Sequence, residues 1–157
     1  MSIQIPSRVL APASLSAIAI ARTADLGGLA AVVVPYDEFG VDPLVLGAHL
    51  LRNTRYVEVF VGLEPWVATP QYAAKVSASL QRFSHGRLGW YFATDSPEVE
   101  TFLATARSFW ASTDGLPTGL STHPFPQVLR GEVEGLIDVR GEVSEVLRLG
   151  EQEGTHV

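Results

Sequence analysis

The four histidines are the side chains of this chain best suited to acid–base or metal chemistry, because imidazole titrates near neutrality and ligates metals. They are His49, His85, His123 and His156, and no pair has the i, i+4 spacing that places two ligands on one helix face. Cysteine is absent, which removes thiolate zinc sites and cysteine nucleophiles. We therefore predict no metal site. His85 or His123 could act as a general base, but a solvated turn histidine is the more common role.

A second set of candidates follows three predicted strands, at residues 36–38, 64–69 and 94–96. In a parallel β/α fold, ligands bind at the carboxyl ends of the strands, where these segments lie. Each segment also has a simpler interpretation. Residues 94–96 could only cap the helix that follows, and Trp66 could anchor an interface. No Walker-type or G-x-S-x-G motif supports a nucleotide triphosphatase or a hydrolase.

The segment from 57 to 95 contains the elements that position these ends. Its run 57–61 is β-branched and aromatic, which favours a buried strand, and a helix is predicted from Pro70 to Gly86. Residues 87–93 form a second apolar run, so the unit is β-α-β with parallel strands. An apolar helix face is expected from one set of residues spaced by four, four and three: Tyr72, Val76, Leu80 and Phe83.

Helix-starting prolines recur every 27 residues, and a fixed strand-plus-helix period indicates stacked β/α units. The prolines and their capping residues are Asp42-Pro43, Thr69-Pro70 and Ser96-Pro97. Four or five such units give either an open parallel sheet or a sector of a (β/α)8 barrel. A complete barrel needs about 250 residues, so this chain cannot close one alone. The helix after Pro43 is apolar around most of its circumference, which predicts cover on two sides.

The 157 residues suit one domain, for which we predict a loop at 112–130, a strand within 133–139 and a flexible tail at 150–157. The chain is 46% hydrophobic and 18% charged, so we expect part of its apolar surface to lie in an interface. Its net charge of −6 argues against nucleic acid and anionic membranes as partners. No apolar stretch is long enough for a membrane span, and no secretory signal is recognisable, so a cytoplasmic protein is expected.

The run 64–96 carries a family resemblance. EPWVATPQYAAKVSASLQRFSHGRLGWYFATDS resembles the third-helix segment of the luciferase-like flavin monooxygenases, closest to the alkanesulfonate and nitrilotriacetate monooxygenase branch. The matching elements are the proline before the helix, the triplet Ala73-Ala74-Lys75, the turn Leu80-x-Arg82-Phe83-Ser84-x-Gly86-Arg87 and the end Thr94-Asp95-Ser96. Similarity continues more weakly from about residue 13 to residue 110. It implies the front half of a TIM-barrel-like α/β fold, with a shortened loop after the fourth strand.

The resemblance also implies a function. It suggests a flavin-linked monooxygenase or oxidoreductase that acts on a small molecule with reduced FMN or a deazaflavin. In this family the strand-end loops line the flavin ring, which singles out four residues as cofactor contacts: Asp37, Trp66, Tyr91 and Thr94. A half barrel leaves two strand edges open, so a homodimer or a partner subunit is expected to cover them.

Departures from the family pattern favour an alternative. The loop in which the alkanesulfonate branch has a cysteine reads Phe39-Gly40-Val41 here, the first-strand histidine has no counterpart, and Trp90-Tyr91 replaces the Trp-Asn of the nitrilotriacetate branch. The family's phosphate-binding segment belongs to the second half of the barrel. A non-catalytic structural or ligand-binding subunit of the same lineage is therefore a second hypothesis. An unrelated open α/β sheet with an unknown ligand is a third.

Overall fold

A computed structural model describes residues 8–111, 123–133 and 136–138 of the chain. Strands and helices alternate along most of this length, as the 27-residue period predicts. The elements are β1 (Arg8–Leu10), α1 (Ala17–Leu26), β2 (Ala31–Val34), α2 (Pro43–Arg52), β3 (Glu58–Gly62), α3 (Pro70–Ser84), β4 (Leu88–Phe92), α4 (Pro97–Ala111), β5 (Gln127–Arg130) and β6 (Leu136–Asp138).

The strands form one sheet in the order β5-β4-β3-β2-β1-β6, and every neighbouring pair is parallel. Strands β1 to β5 follow chain order, whereas β6 pairs with the opposite side of β1. The predicted parallel β/α architecture is therefore confirmed.

The sheet must be strongly curled, because only five residues separate β5 from β6 at its two edges. Six residue steps span at most roughly 22 Å. A flat sheet of six strands would hold its edge strands about 24 Å apart. Because all the strands are parallel, the chain must also run back from the carboxyl end of β5 to the amino end of β6, which requires additional length. The arrangement is a barrel sector and not a flat open sheet.

The two faces of the sheet are packed differently. One face carries Val59, Val61 and Trp90 and shares a single buried cluster with residues of all four helices. The other face carries a small cluster of strand residues only, centred on Val33 and Phe60. The helices of the described ranges therefore cover the outer face alone, as in a barrel.

The inner face is partly filled by the chain itself. A Cβ atom at Gly89 would overlap the Phe60 ring, so that ring lies across β4. A Cβ at Gly62 would overlap the backbone of Pro35 and Tyr36, which crosses the end of β3. Glycine at positions 62 and 89 is what lets these neighbours approach so closely.

The predicted helix starts are confirmed by their caps. Asp42 Oδ1 accepts hydrogen bonds from the N–H groups of Leu44 and Val45, at 3.0 and 3.1 Å. Thr69 Oγ1 accepts from Tyr72 N–H at 3.1 Å, and Ser96 Oγ accepts from the backbone N–H three residues later at 3.4 Å.

The predicted apolar face of α3 is real, but it does not face the sheet. Tyr72 and Phe83 are 61% and 83% exposed, and the buried face consists of small and polar residues. These are Ala73, Ala74, Ser77, Ala78, Gln81 and Ser84. The bulk of Trp90 explains the difference, because its indole fills the space under α3 and donates to Ser77 Oγ at 2.9 Å.

The predicted loop at 112–130 is too long at its carboxyl end. Residues 127–130 form β5, which pairs with β4, while 112–122 lie outside the described residues. The strand is short and lies between turn-forming residues, so its sequence resembles a loop. The predicted strand within 133–139 is present as β6, and the predicted tail at 150–157 lies outside the described part.

Candidate functional site

The four residues predicted to contact a cofactor all lie at the carboxyl ends of adjacent strands. Asp37 follows β2 and is exposed, with its Oδ1 accepting the N–H of Phe39 at 2.9 Å. Trp66 is 73% exposed in the loop between β3 and α3. Thr94 is exposed in the loop after β4, where Ser96, and not Thr94, caps α4.

Tyr91 differs from these three because it lies within β4 and is half-buried. Its ring packs against the small cluster of the inner face, and its hydroxyl donates to the carbonyl oxygen of Gly131 at 3.3 Å. Within the described residues no hydrogen bond joins any two of the four, since Asp37 is bonded to Phe39 and Tyr91 to Gly131. What they share is one edge of the sheet, along the ends of β2, β3 and β4, which are spaced about 4.8 Å apart.

Glu64 is a fifth residue at this edge, and it is not among the predicted cofactor contacts. It follows β3 and is only 6% exposed. Strand alternation places it on the inner face with Phe60 and Gly62. Burial raises the pKa of the Glu64 carboxyl, and the backbone N–H of Ala93 opposes that rise only in part. A buried carboxyl group with a raised pKa at the carboxyl end of a strand is a candidate functional group. The feature of the sequence that indicates Glu64 is an acidic residue directly after a predicted buried strand.

The position of the family cysteine leaves no room for a side chain here. The Val41 N–H donates to the carbonyl oxygen of Ala13 at 3.0 Å, which holds the loop after β2 against the segment after β1. A Cβ atom at Gly40 would lie 2.6 Å from that same carbonyl oxygen. The packing of this loop therefore favours glycine at position 40.

Few charged groups at this edge are available to hold a phosphate. Arg130, the last residue of β5, is the one cation at the described carboxyl ends, and it forms ion pairs with Asp95 at 3.6 Å and with Glu100. The amino termini of α2, α3 and α4 already donate to their own capping side chains. The edge thus offers aromatic and polar contacts for a ring, whereas its one arginine is already paired with two carboxylates.

The histidines are scattered. His49 is exposed on α2, and His85 ends α3 in a left-handed conformation with φ of 56°. The carbonyl oxygen of His123 accepts from Trp110 Nε1 at 3.1 Å, and His156 lies outside the described residues. Within the described ranges, no three His, Cys, Asp or Glu side chains are grouped to hold a metal ion. None of the described helices is long and apolar enough to span a membrane.

The turn that carries the family resemblance lies at the opposite, amino ends of the strands. Arg87 donates five hydrogen bonds there, at 2.8 to 3.2 Å. Its Nη atoms reach the Thr54 hydroxyl and the carbonyl oxygens of Leu51, Thr54 and Val57, while Nε reaches Ser84. Burial lowers the pKa of Arg87, and Asp25 opposes that shift. The guanidinium thus joins the end of α2 to the starts of β3 and β4.

Asp25 completes this cluster at the end of α1. Its carboxylate accepts from the backbone N–H groups of Arg55, Tyr56 and Val57, at 2.9, 2.7 and 2.8 Å. Burial alone would raise the pKa of Asp25, but these three donors and Arg87 outweigh it and lower the pKa. The turn motif is a structural device and contributes no side chain to the candidate site.

These observations define the class of protein: a sector of a β/α barrel whose helices lie outside and whose candidate site lies at the carboxyl ends of the strands. The luciferase-like monooxygenase family profile matches residues 3–114. The chain belongs to this family.

Solved structures support the fold. A monooxygenase, RslO1 from Streptomyces bottropensis, superposes with a TM-score of 0.61 at 22% identity, over 73% of this chain and 46% of that protein. Apo-MsnO8 superposes with a TM-score of 0.68 at 17% identity, over 81% of this chain and 49% of that protein. The chain thus spans about half the length of these structures, and the predicted incomplete barrel is confirmed.

Proposed function

We propose that this chain is a component of a flavin-linked monooxygenase or oxidoreductase. It forms one wall of the flavin-ring site, and a homodimer or a partner subunit completes that site. One observation carries the proposal. Asp37, Glu64, Trp66, Tyr91 and Thr94 occupy the carboxyl ends of three adjacent strands, where a β/α barrel binds its ligands. Family membership supports the flavin as the ligand.

The residues at this edge suit the ring of the cofactor. Trp66 and Tyr91 offer aromatic surface, and Thr94 offers a hydroxyl for hydrogen bonding. Glu64, which is buried at the same edge and has a raised pKa, would contribute a carboxyl group beside a bound ring. A reduced flavin would supply the chemistry with oxygen, and the chain would bind the ring, orient it and exclude water. FMN and a deazaflavin share a tricyclic ring, so both fit this proposal.

We propose that the phosphate is held outside the described residues. Because Arg130 is already paired and the neighbouring helix termini are capped, a second chain is the proposed source of the phosphate site. A small-molecule substrate would enter at the same mouth. A cytoplasmic location, expected from the sequence, is part of the proposal.

The proposal is tested by titrating the protein with oxidised FMN and measuring the quenching of flavin fluorescence. Trp66→Ala should weaken quenching at least about fivefold, because an exposed aromatic side chain at the site is lost. Tyr56→Ala is the matched control, since Tyr56 is 79% exposed at the amino ends of the strands. Absence of quenching, or equal losses in both variants, would contradict the proposal.

A non-catalytic, ligand-binding subunit is the second candidate function, and the packing at Gly40 favours it. A Cβ atom at Gly40 would lie 2.6 Å from the carbonyl oxygen of Ala13, so a cysteine at this position would require the loop to shift. The two functions differ in one measurement, the oxidation of reduced flavin by the isolated protein. A rate that depends on an added substrate would exclude the non-catalytic candidate.

A further inference from the structure

The Glu64 carboxyl lies within the mouth of the barrel sector, by which we mean the carboxyl ends of β2, β3 and β4 with the loops that follow them. On one side, the backbone of Pro35 and Tyr36 crosses the end of β3 at Gly62. On the other side, the backbone N–H of Ala93 approaches the carboxyl group. Glu64 is therefore enclosed between two loops and is only 6% exposed.

No lysine or arginine of the described ranges pairs with this carboxyl, since the ion pairs of those ranges all involve Arg130. A carboxylate has about four lone-pair positions, and the single N–H of Ala93 fills one of them. Burial raises the pKa of Glu64, and that N–H offsets the rise only in part. A buried carboxylate is costly unless a cation and further donors compensate it. A cationic ligand can supply that compensation.

The charges around the mouth have one sign. Arg130 is the one cation at the described carboxyl ends, and it is already paired with two carboxylates. The potential at this edge is therefore negative, which attracts cations and repels anions. Besides Glu64, the acidic residues that follow β2, β4 and β5 or lie in the first turn of α4 are Asp37, Glu38, Asp95, Glu98, Glu100 and Glu132.

The opposite edge of the sheet carries the other sign of charge. Arg8 begins β1, and Arg55 and Arg87 precede β3 and β4. The chain as a whole has a net charge of −6. The negative potential of the mouth is therefore a local feature, produced by the separation of acids and arginines between the two ends of the strands.

The mouth also exposes aromatic side chains. Trp66 is 73% exposed, and Phe39, in the loop after β2, is 92% exposed. The Val67 N–H donates to the carbonyl oxygen of Glu64 at 3.0 Å, so Trp66 lies in a tight turn directly beside the buried acid. Aromatic surface next to a carboxylate suits a ligand that carries an ammonium group on an apolar body.

We propose that the substrate of this site is an apolar amine, whose ammonium group pairs with the Glu64 carboxylate while its apolar body lies against Trp66 and Phe39. The inference rests on the proposed function, for which it names the substrate class. Glu64 is then the residue that determines specificity. A sulfonate or carboxylate of the same size would be repelled by Glu64, and an alcohol would lack the ion pair.

Calorimetric titration of the full chain, in the absence of flavin, tests the substrate class. Three probes share one phenylpropyl body and differ in the head group: phenylpropylamine, phenylpropanol and phenylpropanesulfonate. At neutral pH the amine is charged, because its pKa is near that of lysine, about 10.4. It should bind at least about tenfold more tightly than the alcohol or the sulfonate. Propylamine, which lacks the ring, should bind at least about fivefold more weakly than phenylpropylamine.

A matched pair of variants locates the charge that is responsible. Glu64→Gln should weaken binding of phenylpropylamine at least about tenfold and leave the affinity for phenylpropanol within about twofold. Glu38→Gln removes an exposed acid from the same mouth and should change the affinity for the amine by less than about twofold. Circular dichroism confirms the fold of both variants, and the comparison of the probes on the wild-type chain requires no variant.

Three results would overturn the proposal. The first is a wild-type chain that does not bind phenylpropylamine. The second is an alcohol or a sulfonate that binds as tightly as the amine. The third is an equal loss of amine affinity in Glu64→Gln and Glu38→Gln, which would assign the preference to the general surface charge.

Quenching of FMN fluorescence, measured separately, distinguishes this inference from the proposed function. Quenching without any preference for the amine would overturn the substrate class and leave the flavin-ring site standing. A preference for the amine that Glu64→Gln removes, without flavin quenching, would support the amine site and contradict the flavin-linked function.

Discussion

The two ends of the barrel sector are built on opposite principles. At the amino ends of the strands, Arg87 and Asp25 together make eight hydrogen bonds, all to partners within the chain. At the carboxyl ends, Trp66 and Thr94 project into solvent, and the buried carboxyl of Glu64 has only a backbone N–H beside it. The polar groups of Arg87 and Asp25 at the amino ends are thus bonded within the chain, whereas side chains at the carboxyl ends remain available to contact a ligand.

This contrast shows that recognising the family and locating its chemistry are separate problems. The turn from Leu80 to Arg87 carries most of the resemblance, and it stabilises the junctions at the amino ends. In β/α barrels, ligands bind at the other end. Substitutions at the two ends should therefore have different consequences, for stability at one and for binding at the other.

The largest expected effect is at Arg87. Arg87→Met should lower the free energy of unfolding by about 3 to 5 kcal/mol, because the carbonyl groups of Leu51, Thr54 and Val57 lose a charged donor. Urea denaturation measures the loss. Arg82→Met, at an exposed position of the same turn, is the control and should change stability by less than about 0.5 kcal/mol. Equal losses in the two variants would show that the Arg87 cluster is not what stabilises this end.

Asp25→Asn should cost about 2 kcal/mol, because three N–H groups lose a charged acceptor. Since the folded state lowers the pKa of Asp25, its contribution is complete above the unfolded pKa of about 3.9 and is lost as pH falls through the folded pKa. Urea midpoints of wild type and variant should therefore converge in acid. Asp37→Asn, at the other end, should cost less at neutral pH, because the Asp37 carboxylate accepts from a single backbone N–H. A wild-type advantage that persists in strong acid would refute this assignment.

Gly89→Ala should destabilise by about 1 to 3 kcal/mol, because the new methyl group overlaps the Phe60 ring. Thermal unfolding of the variant and of the double variant Gly89→Ala, Phe60→Leu measures the coupling. The smaller leucine should recover part of the loss, so the two substitutions should not be additive. Additive losses would mean that the inner face between the two ends is not filled by Phe60.

The smallest effect is expected at Glu64. Its raised pKa means that the contribution of the protonated carboxyl is complete below the unfolded pKa of about 4.3 and is lost as pH rises through the folded pKa. Glu64→Gln should therefore raise stability at pH 7, by up to about 1 kcal/mol, and make no difference in acid. The urea midpoints of wild type and variant, measured at pH 7 and in acid, test this prediction. A variant less stable than wild type at pH 7 would show that the carboxylate has a stabilising partner.

The sequence was most informative where local chemistry determines structure. The prolines at 43, 70 and 97, with their capping residues, placed three helix starts, and the apolar runs placed the parallel strands. The orientation of α3 could not be derived in this way. Its larger apolar residues were expected to cover the sheet, but Trp90 in β4 leaves space only for small side chains there.

The candidate site was accessible to sequence reasoning only in part. The strand ends could be located, which placed Asp37, Trp66 and Thr94 at one edge. The burial of Glu64 depends on how the ends of β3 and β4 come together, and no local pattern encodes that contact.

The most direct test of the proposed ring site is a comparison of FMN with riboflavin, which shares the ring and lacks the phosphate. Fluorescence titration of the isolated chain should give dissociation constants that agree within about twofold, because the proposed site contacts the ring and leaves the phosphate to a second chain. A preference for FMN of about tenfold or more would show a phosphate site within this chain. Failure of both flavins to bind would contradict the ring site itself.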